Sequence, residues 1–257
     1  MGVSYTGYID LAQVVLYAFW IFFAGLILYL HRENKREGYP LLSDRTNERV
    51  SVVGFPDMPP SKTFLLPHGG SVTVPEDRVE RRQIAAAPVA VWPGAPLVPT
   101  GNPMTDGIGP GAWAERQDVP DIMWDGGEVK IVPLRVASGF FPATQDPDPR
   151  GMTVIAGDGK EVGIIADAWV DRSEFIFRYY EVELSATGGH VLIPVNFAKI
   201  SAKQRTVTVD AIFAEHFLHV PPVKSPDQVT FLEEEKICAY YGAGLFYAEP
   251  KRTEPWL

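Results

Sequence analysis

The apolar residues of this chain follow two patterns. Residues 11–30 (LAQVVLYAFWIFFAGLILYL) form one apolar run with no charged side chain. Beyond about residue 130, apolar and polar positions alternate over short stretches. The first pattern predicts a membrane-crossing helix, the second a sheet. Twenty helical residues span about 30 Å, the hydrocarbon thickness of a bilayer. Twelve of them are Leu, Ile, Val or Phe, which together favour insertion by about 4–7 kcal/mol. Gln13 lies near one end, where its cost is smallest. Tyr5, Tyr8 and Tyr29 fall at the levels expected of interfacial aromatics. A soluble core helix would be apolar along one stripe only. A signal peptide would carry its basic residues before the run.

Here the basic residues come after it. Arg32, Lys35 and Arg36 follow, beside His31, while only Asp10 precedes. The positive-inside rule therefore predicts residues 1–10 outside (periplasmic) and everything beyond His31 in the cytoplasm. Residues 1–6 (MGVSYT) fit a myristoylation pattern, but on the side opposite the modifying enzyme.

Six strands are predicted in the second half, at 129–136, 152–156, 161–170, 175–184, 190–195 and 206–213. Asp158-Gly159 and Gly188-Gly189 read as hairpin turns. Short strands with frequent turns predict a small β-barrel or sandwich. Within 175–184, Phe175, Phe177 and Tyr179 share a face with Glu181 and Glu183. Arg178 stands on the more apolar face, with Ile176, Tyr180, Val182 and Leu184. A C-terminal helix is predicted from the Thr230…Glu233 capping box, with Ile237, Tyr240, Tyr241, Gly244 and Leu245 on one face and Pro250 at its end.

Between the two regimes, 37–120 is rich in proline, which disfavours long helices and central strands. Two β pieces are predicted there, 62–66 and 71–74, around Gly69-Gly70. The segment is too apolar for a free tether and reads as an extended arm lying on another surface. The expected division is a transmembrane helix over 11–36, the arm over 37–120, and a β domain with its helix over 121–257.

Composition narrows function. A net charge of −9 argues against a nucleic-acid partner, which needs a basic face. One cysteine, Cys238, forms no intrachain disulfide. Phosphate-loop, nucleophile-elbow and metalloprotease motifs are absent. Gly107, Gly109 and Gly111 lack the strand and spacing of a dinucleotide fingerprint. His216 and His219, with Glu215, have a helical spacing that would suit a metal, though surface histidines beside Pro221 explain them as well. The remaining candidates are acids: Asp118, Asp121 and Asp125, then Asp167, Asp171 and Glu174, with Arg172 and Arg178 near them. Clustered carboxylates can pass protons near neutral pH; a solvated acidic face is the plainer alternative.

The chain resembles the H subunit of the purple-bacterial photosynthetic reaction centre. The resemblance rests on YAFWIFFAGL at 17–26, REGYPL at 36–41, KTFLLPHG at 62–69, PTGNPM at 99–104, DGIGP at 106–110, IVPLR at 131–135, WVDRSE at 169–174 and LEEEKICAY at 232–240. It implies a single transmembrane α-helix plus a mainly-β cytoplasmic domain, a PRC-type small β-barrel, with a C-terminal α-helix. It implies no enzyme and no pigment or metal bound by the chain itself. Bacteriochlorophyll, bacteriopheophytin, quinones and non-haem iron belong to the partner L and M subunits, which the H subunit caps on the cytoplasmic face of the intracytoplasmic (inner) membrane. Contact with the core light-harvesting ring and with lipids is implied too. Proton transfer to the secondary quinone is implied for Glu174 and Asp171, with Arg178 close by and Asp125 near proton entry. This chain reads Asp125-Gly-Gly-Glu128 where some members carry two histidines, so Asp121, Asp125 and Glu128 are expected to substitute. The competing expectation is a single-span adaptor whose barrel binds a soluble cytoplasmic partner.

Overall fold

The computed structural model describes residues 10–39, 41, 54–67, 69–75, 83–92 and 94–252. Tyr5, Tyr8 and the 1–6 pattern lie outside these. Two compact units are present: residues 1–82 with 91–95, and residues 83–90 with 96–257.

The first unit contains helix α1 (Leu11–Glu33) and the hairpin β1 (Lys62–Leu65) and β2 (Ser71–Val74). Asp10 caps α1 by accepting from the Ala12 N–H. No residue of α1 is buried within the chain. Together with the short 3-10 turn that extends it to Arg36, it is the one described helix long and apolar enough to cross a membrane, with mean hydropathy 2.2. Phe19, Trp20 and Phe23 pack ring against ring on its exposed surface. Its basic end is tied down. The buried Lys35 Nζ donates to the Pro56 carbonyl. Arg36 reaches Glu33 at 2.7 Å, Pro60 O at 2.6 Å and Val74 O at 3.2 Å.

The second unit holds the small ladder β3 (Ala86–Pro88) and β4 (Leu97–Pro99) and one larger sheet. The sheet comprises β5 (Ile131–Pro133), β6 (Thr153–Ala156), β7 (Glu161–Asp171), β8 (Ile176–Leu184), β9 (His190–Pro194), β10 (Lys199–Ser201) and β11 (Thr206–Val209). Its order is β10-β11-β6-β7-β8-β9, with β5 pairing the far end of β7. Both predicted hairpin turns form: Gly159 and Gly188 adopt positive φ, and the strands they join are antiparallel neighbours. Among the described residues, only β11 with β6 is parallel.

The sheet does not close into the expected barrel. Among the described residues, β9 and β10 end its hydrogen-bonded path, and β9 contacts helix α2 (Phe231–Tyr247) instead of another outer strand. Several strands are shorter than expected. The stretch 129–136 yields a three-residue β5, because a turn from Pro133 O to the Ala137 N–H takes over. The stretch 206–213 stops at Val209, and Ala214–His219 forms a 3-10 helix. Phe175 is not in β8 but in the preceding turn, at φ 59.

Helix α2 covers the core as its capping box predicts. Thr230 Oγ1 accepts from Glu233 N–H, and Glu233 accepts from Thr230 N–H. Ile237, Tyr240, Tyr241 and Gly244 are buried, whereas Leu245 is half exposed. A Cβ on Gly244 would stand 2.3 Å from Ile212 and 2.6 Å from the Ala211 carbonyl, so the helix lies directly on backbone there. The 3-10 turn Gly109–Gly111 packs on the same helix, with Ala243 beside Gly111. The core is built from Val154, Ile165, Trp169, Val182, Ile193, Val207, Phe217 and Tyr241, among others.

Candidate functional site

The turn that joins β7 to β8 is organised by one carboxylate. Asp171 ends β7, and its side chain has no exposed surface. Its Oδ1 accepts from the N–H groups of Ser173 at 3.0 Å and Glu174 at 3.1 Å. That pattern folds the following residues back on themselves. Phe175 N–H then closes on Asp171 O at 2.8 Å. The Asp171 Oδ2 faces two cations: Arg178 at 3.3 Å and Lys130 at 3.5 Å.

Both cations reach onward. Arg178 Nη2 lies 3.1 Å from Glu174. Lys130 Nζ lies 3.5 Å from Asp121 and 3.9 Å from Glu174. The result is an alternating cluster, Asp121–Lys130–Asp171–Arg178–Glu174, in which the Glu174 side chain is 51% exposed. Burial works to lower the Lys130 pKa, but Asp171 and Asp121 outweigh it and hold the ammonium raised. Sequence reasoning does not single out Lys130; a lone lysine just before a short strand carries no local signal of its three partners. Its position follows from pairing, because its N–H donates to Asp121 O and its carbonyl accepts from Arg172 N–H.

Four of the five expected proton-transfer residues meet here: Asp121, Asp171, Glu174 and Arg178. Asp125 does not. It sits exposed in the loop between the bridged residues Ile122 and Val129. The neighbouring Glu128 is paired with Arg172 Nη1 at 2.6 Å. Asp118 is at the start of α2, where Lys224 and Thr230 bind it and lower its pKa.

Asp167 belongs to a second cluster. It lies opposite Glu181 in the β7–β8 register, and both acids are buried. Arg135 joins them, at 3.3 Å from Asp167 and 2.6 Å from Glu181, and reaches Asp227 at 3.2 Å. Trp169 Nε1 donates to Glu181 at 2.8 Å, and His190 Nδ1 is 2.7 Å from its other oxygen. Burial pushes the Glu181 pKa up, but Arg135 and Trp169 prevail and lower it. These groups border an open cavity of about 730 Å³. Each oxygen of the two acids already has a donor, so the cluster locks β5, β7, β8 and the 226–227 loop together. A separate, part-buried contact is Tyr179 OH donating to Glu234 at 2.9 Å. Burial raises both pKa values.

His216 and His219 belong to no three-ligand cluster. Among the described residues, no three His, Cys, Asp or Glu side chains converge. His216 Nδ1 accepts from Phe213 N–H at 3.1 Å, capping the 3-10 helix.

Residues 3–136, slightly more than half of the chain, match the family described as the photosynthetic reaction centre H-chain N-terminal region. The chain belongs to that family. Residues 144–216, which carry β6 to β11, match the PRC-barrel domain. Membership makes the chain a reaction-centre subunit associated with L and M. With α1 the one helix among the described residues that is long and apolar enough to cross a membrane, membership points to a single-pass membrane protein. The PRC-barrel assignment and the open sheet are compatible, since the family match concerns sequence and the strand order concerns hydrogen bonds.

Proposed function

We propose that this chain caps and stabilises the L and M subunits on the cytoplasmic side and helps deliver protons to the secondary quinone. The observation that carries the proton role is the β7–β8 turn. A half-exposed carboxylate, Glu174, is linked through Arg178 and Lys130 to a fully buried one, Asp171. A doubly reduced quinone needs two protons, and a protein-enclosed pocket needs side chains to supply them. In this arrangement Glu174 exchanges the proton. Asp171 holds the turn, because its oxygens already face two N–H groups and two cations. Asp121, part-exposed beside Lys130, connects the cluster to solvent, and Asp125 lies in the exposed loop that follows it.

The orientation rests on Arg32, Lys35 and Arg36 after the span against Asp10 before it. The second unit is then cytoplasmic and the membrane is the inner (intracytoplasmic) one. The chain binds no pigment; bacteriochlorophyll, bacteriopheophytin, quinones and non-haem iron reside in its partners. Phe19, Trp20 and Phe23, exposed along α1, face neighbouring helices, lipid or the light-harvesting ring.

The test uses the intact complex. Glu174→Gln is expected to slow the second, proton-coupled electron transfer to the quinone, most strongly at high pH. An unchanged rate from about pH 6 to 9 removes Glu174 from the path. A mild-detergent particle containing this chain without bacteriochlorophyll absorbance overturns the assembly itself.

A further inference from the structure

We propose that Arg172 is a positioning residue that fixes the 121–130 loop, and with it Lys130, against the β7–β8 turn. The inference rests on the proton-delivery reading above and adds to it a residue outside the acid–base cluster.

Arg172 is the first residue after β7, next to Asp171. Its side chain is only 17% exposed, and its guanidinium grips two consecutive residues of the loop. Nε donates to the Val129 carbonyl at 3.0 Å, and Nη2 donates to the same oxygen. Nη1 pairs with Glu128 at 2.6 Å. The Arg172 N–H donates to Lys130 O at 3.0 Å. The three contacts therefore bracket the peptide from which the Lys130 side chain departs. Inside the loop, Met123 N–H donates to Glu128 O and Lys130 N–H to Asp121 O, both at 2.8 Å. Holding Glu128 and Val129 thus also holds Met123 and Asp121.

The two grips are unequal. The Glu128 side chain is 68% exposed, and exposed pairs contribute little. The Val129 carbonyl receives two charged donors in a partly buried place, the stronger arrangement. A planar fork makes both N–H bonds at once, which an ammonium does not reproduce. The Arg172 guanidinium makes no hydrogen bond to Asp121, Asp171 or Glu174; its partners are Val129 and Glu128.

The experiment compares Arg172→Ala, Arg172→Lys and Glu128→Gln in the assembled complex. It uses two readouts, amide hydrogen exchange at Met123 and Lys130 and the pH profile of the second electron transfer. Arg172→Ala is expected to speed exchange at both amides by about fivefold or more, the effect of one lost bond of ordinary strength. It should also move the fall in rate to lower pH. Arg172→Lys should recover part of both effects, and Glu128→Gln should change exchange little. The inference is overturned if Arg172→Ala leaves exchange unchanged. Faster exchange with an unmoved pH profile overturns it too, since the grip would then be structural only. If Glu174→Gln is silent, the proton reading fails separately, while the exchange readout still tests the grip.

Discussion

Lys130 Nζ stands 3.5 Å from Asp171 Oδ2, a carboxylate with no exposed surface. The same ammonium is within 4 Å of Asp121 and Glu174. One cation therefore joins an acid from the 121–130 loop, an acid at the end of β7 and an acid in the turn. Asp171→Asn keeps an oxygen for the Ser173 and Glu174 N–H groups but leaves Lys130 and Arg178 without their buried counter-charge. Both cations are part-exposed and keep Asp121 and Glu174, so the loss is that of charge-assisted hydrogen bonds, about 1.5–3 kcal/mol. A drop of this order in the thermal or denaturant stability of the full-length chain is expected. A double-mutant cycle with Lys130→Met should return a coupling of about 1 kcal/mol or more.

Arg135→Ala should be among the most damaging single changes in the sheet. It strips the counter-charge from Asp167 and Glu181, both buried, at a cost of about 3–5 kcal/mol. The penalty has a pH signature. The folded Glu181 pKa is lowered from 4.5, so its contribution is present above that value and lost as pH falls through the lowered one. Without Arg135 burial is no longer offset, and the variant's deficit should shrink on acidification. Denaturation midpoints at neutral and acid pH measure this.

His216 gives a slope of the same sign nearer to neutrality. Burial lowers its pKa from 6.5, partly offset by Glu215. The neutral ring accepts the Phe213 N–H, so the stability it contributes is present above 6.5 and lost as pH falls through the lowered value. Thermal melts should weaken in that window. His216→Asn, which can cap but does not titrate, should flatten the dependence.

Tyr241→Phe is expected to stabilise. The Tyr241 hydroxyl is fully buried and has no hydrogen-bond partner among the described residues, and burial raises its pKa well above 10.0. Its ring stacks on Phe197 at 5.6 Å and meets Phe217 at 6.4 Å, contacts that phenylalanine retains. Removing an unsatisfied buried hydroxyl should gain about 1 kcal/mol, read as a higher melting temperature.

The most legible parts of the sequence were those encoded locally. An uncharged run over 11–30 is enough to place α1, Thr230 with Glu233 to start α2, and Asp158-Gly159 to turn β6 into β7. What escaped depends on distant pairing. Lys199–Ser201 is too short to announce itself, yet becomes β10 once Thr206–Val209 lies beside it. Phe175 has the composition of a strand residue, but the Asp171 side chain captures the following N–H groups and forces it into a turn. Among the acids, Asp167 and Asp171 sit four residues apart and look like one cluster. The register sends Asp167 to Glu181 and Asp171 to the turn. Lys130 and Arg135 gain their roles only from the partners that β5 meets on β7.

The open path of the sheet carries a further consequence. A sheet with two free rims is a template for joining neighbouring molecules, and a protein confined to a membrane plane meets its copies often. Both rims here resist such joining. β10 has only three residues, and the exposed Lys199 on it is paired with Asp210. β9 finishes at Pro194, which has no N–H to offer, and most of its length is buried. Lengthening β10 or replacing Lys199 with an apolar residue should therefore favour strand-to-strand oligomers before any loss of fold.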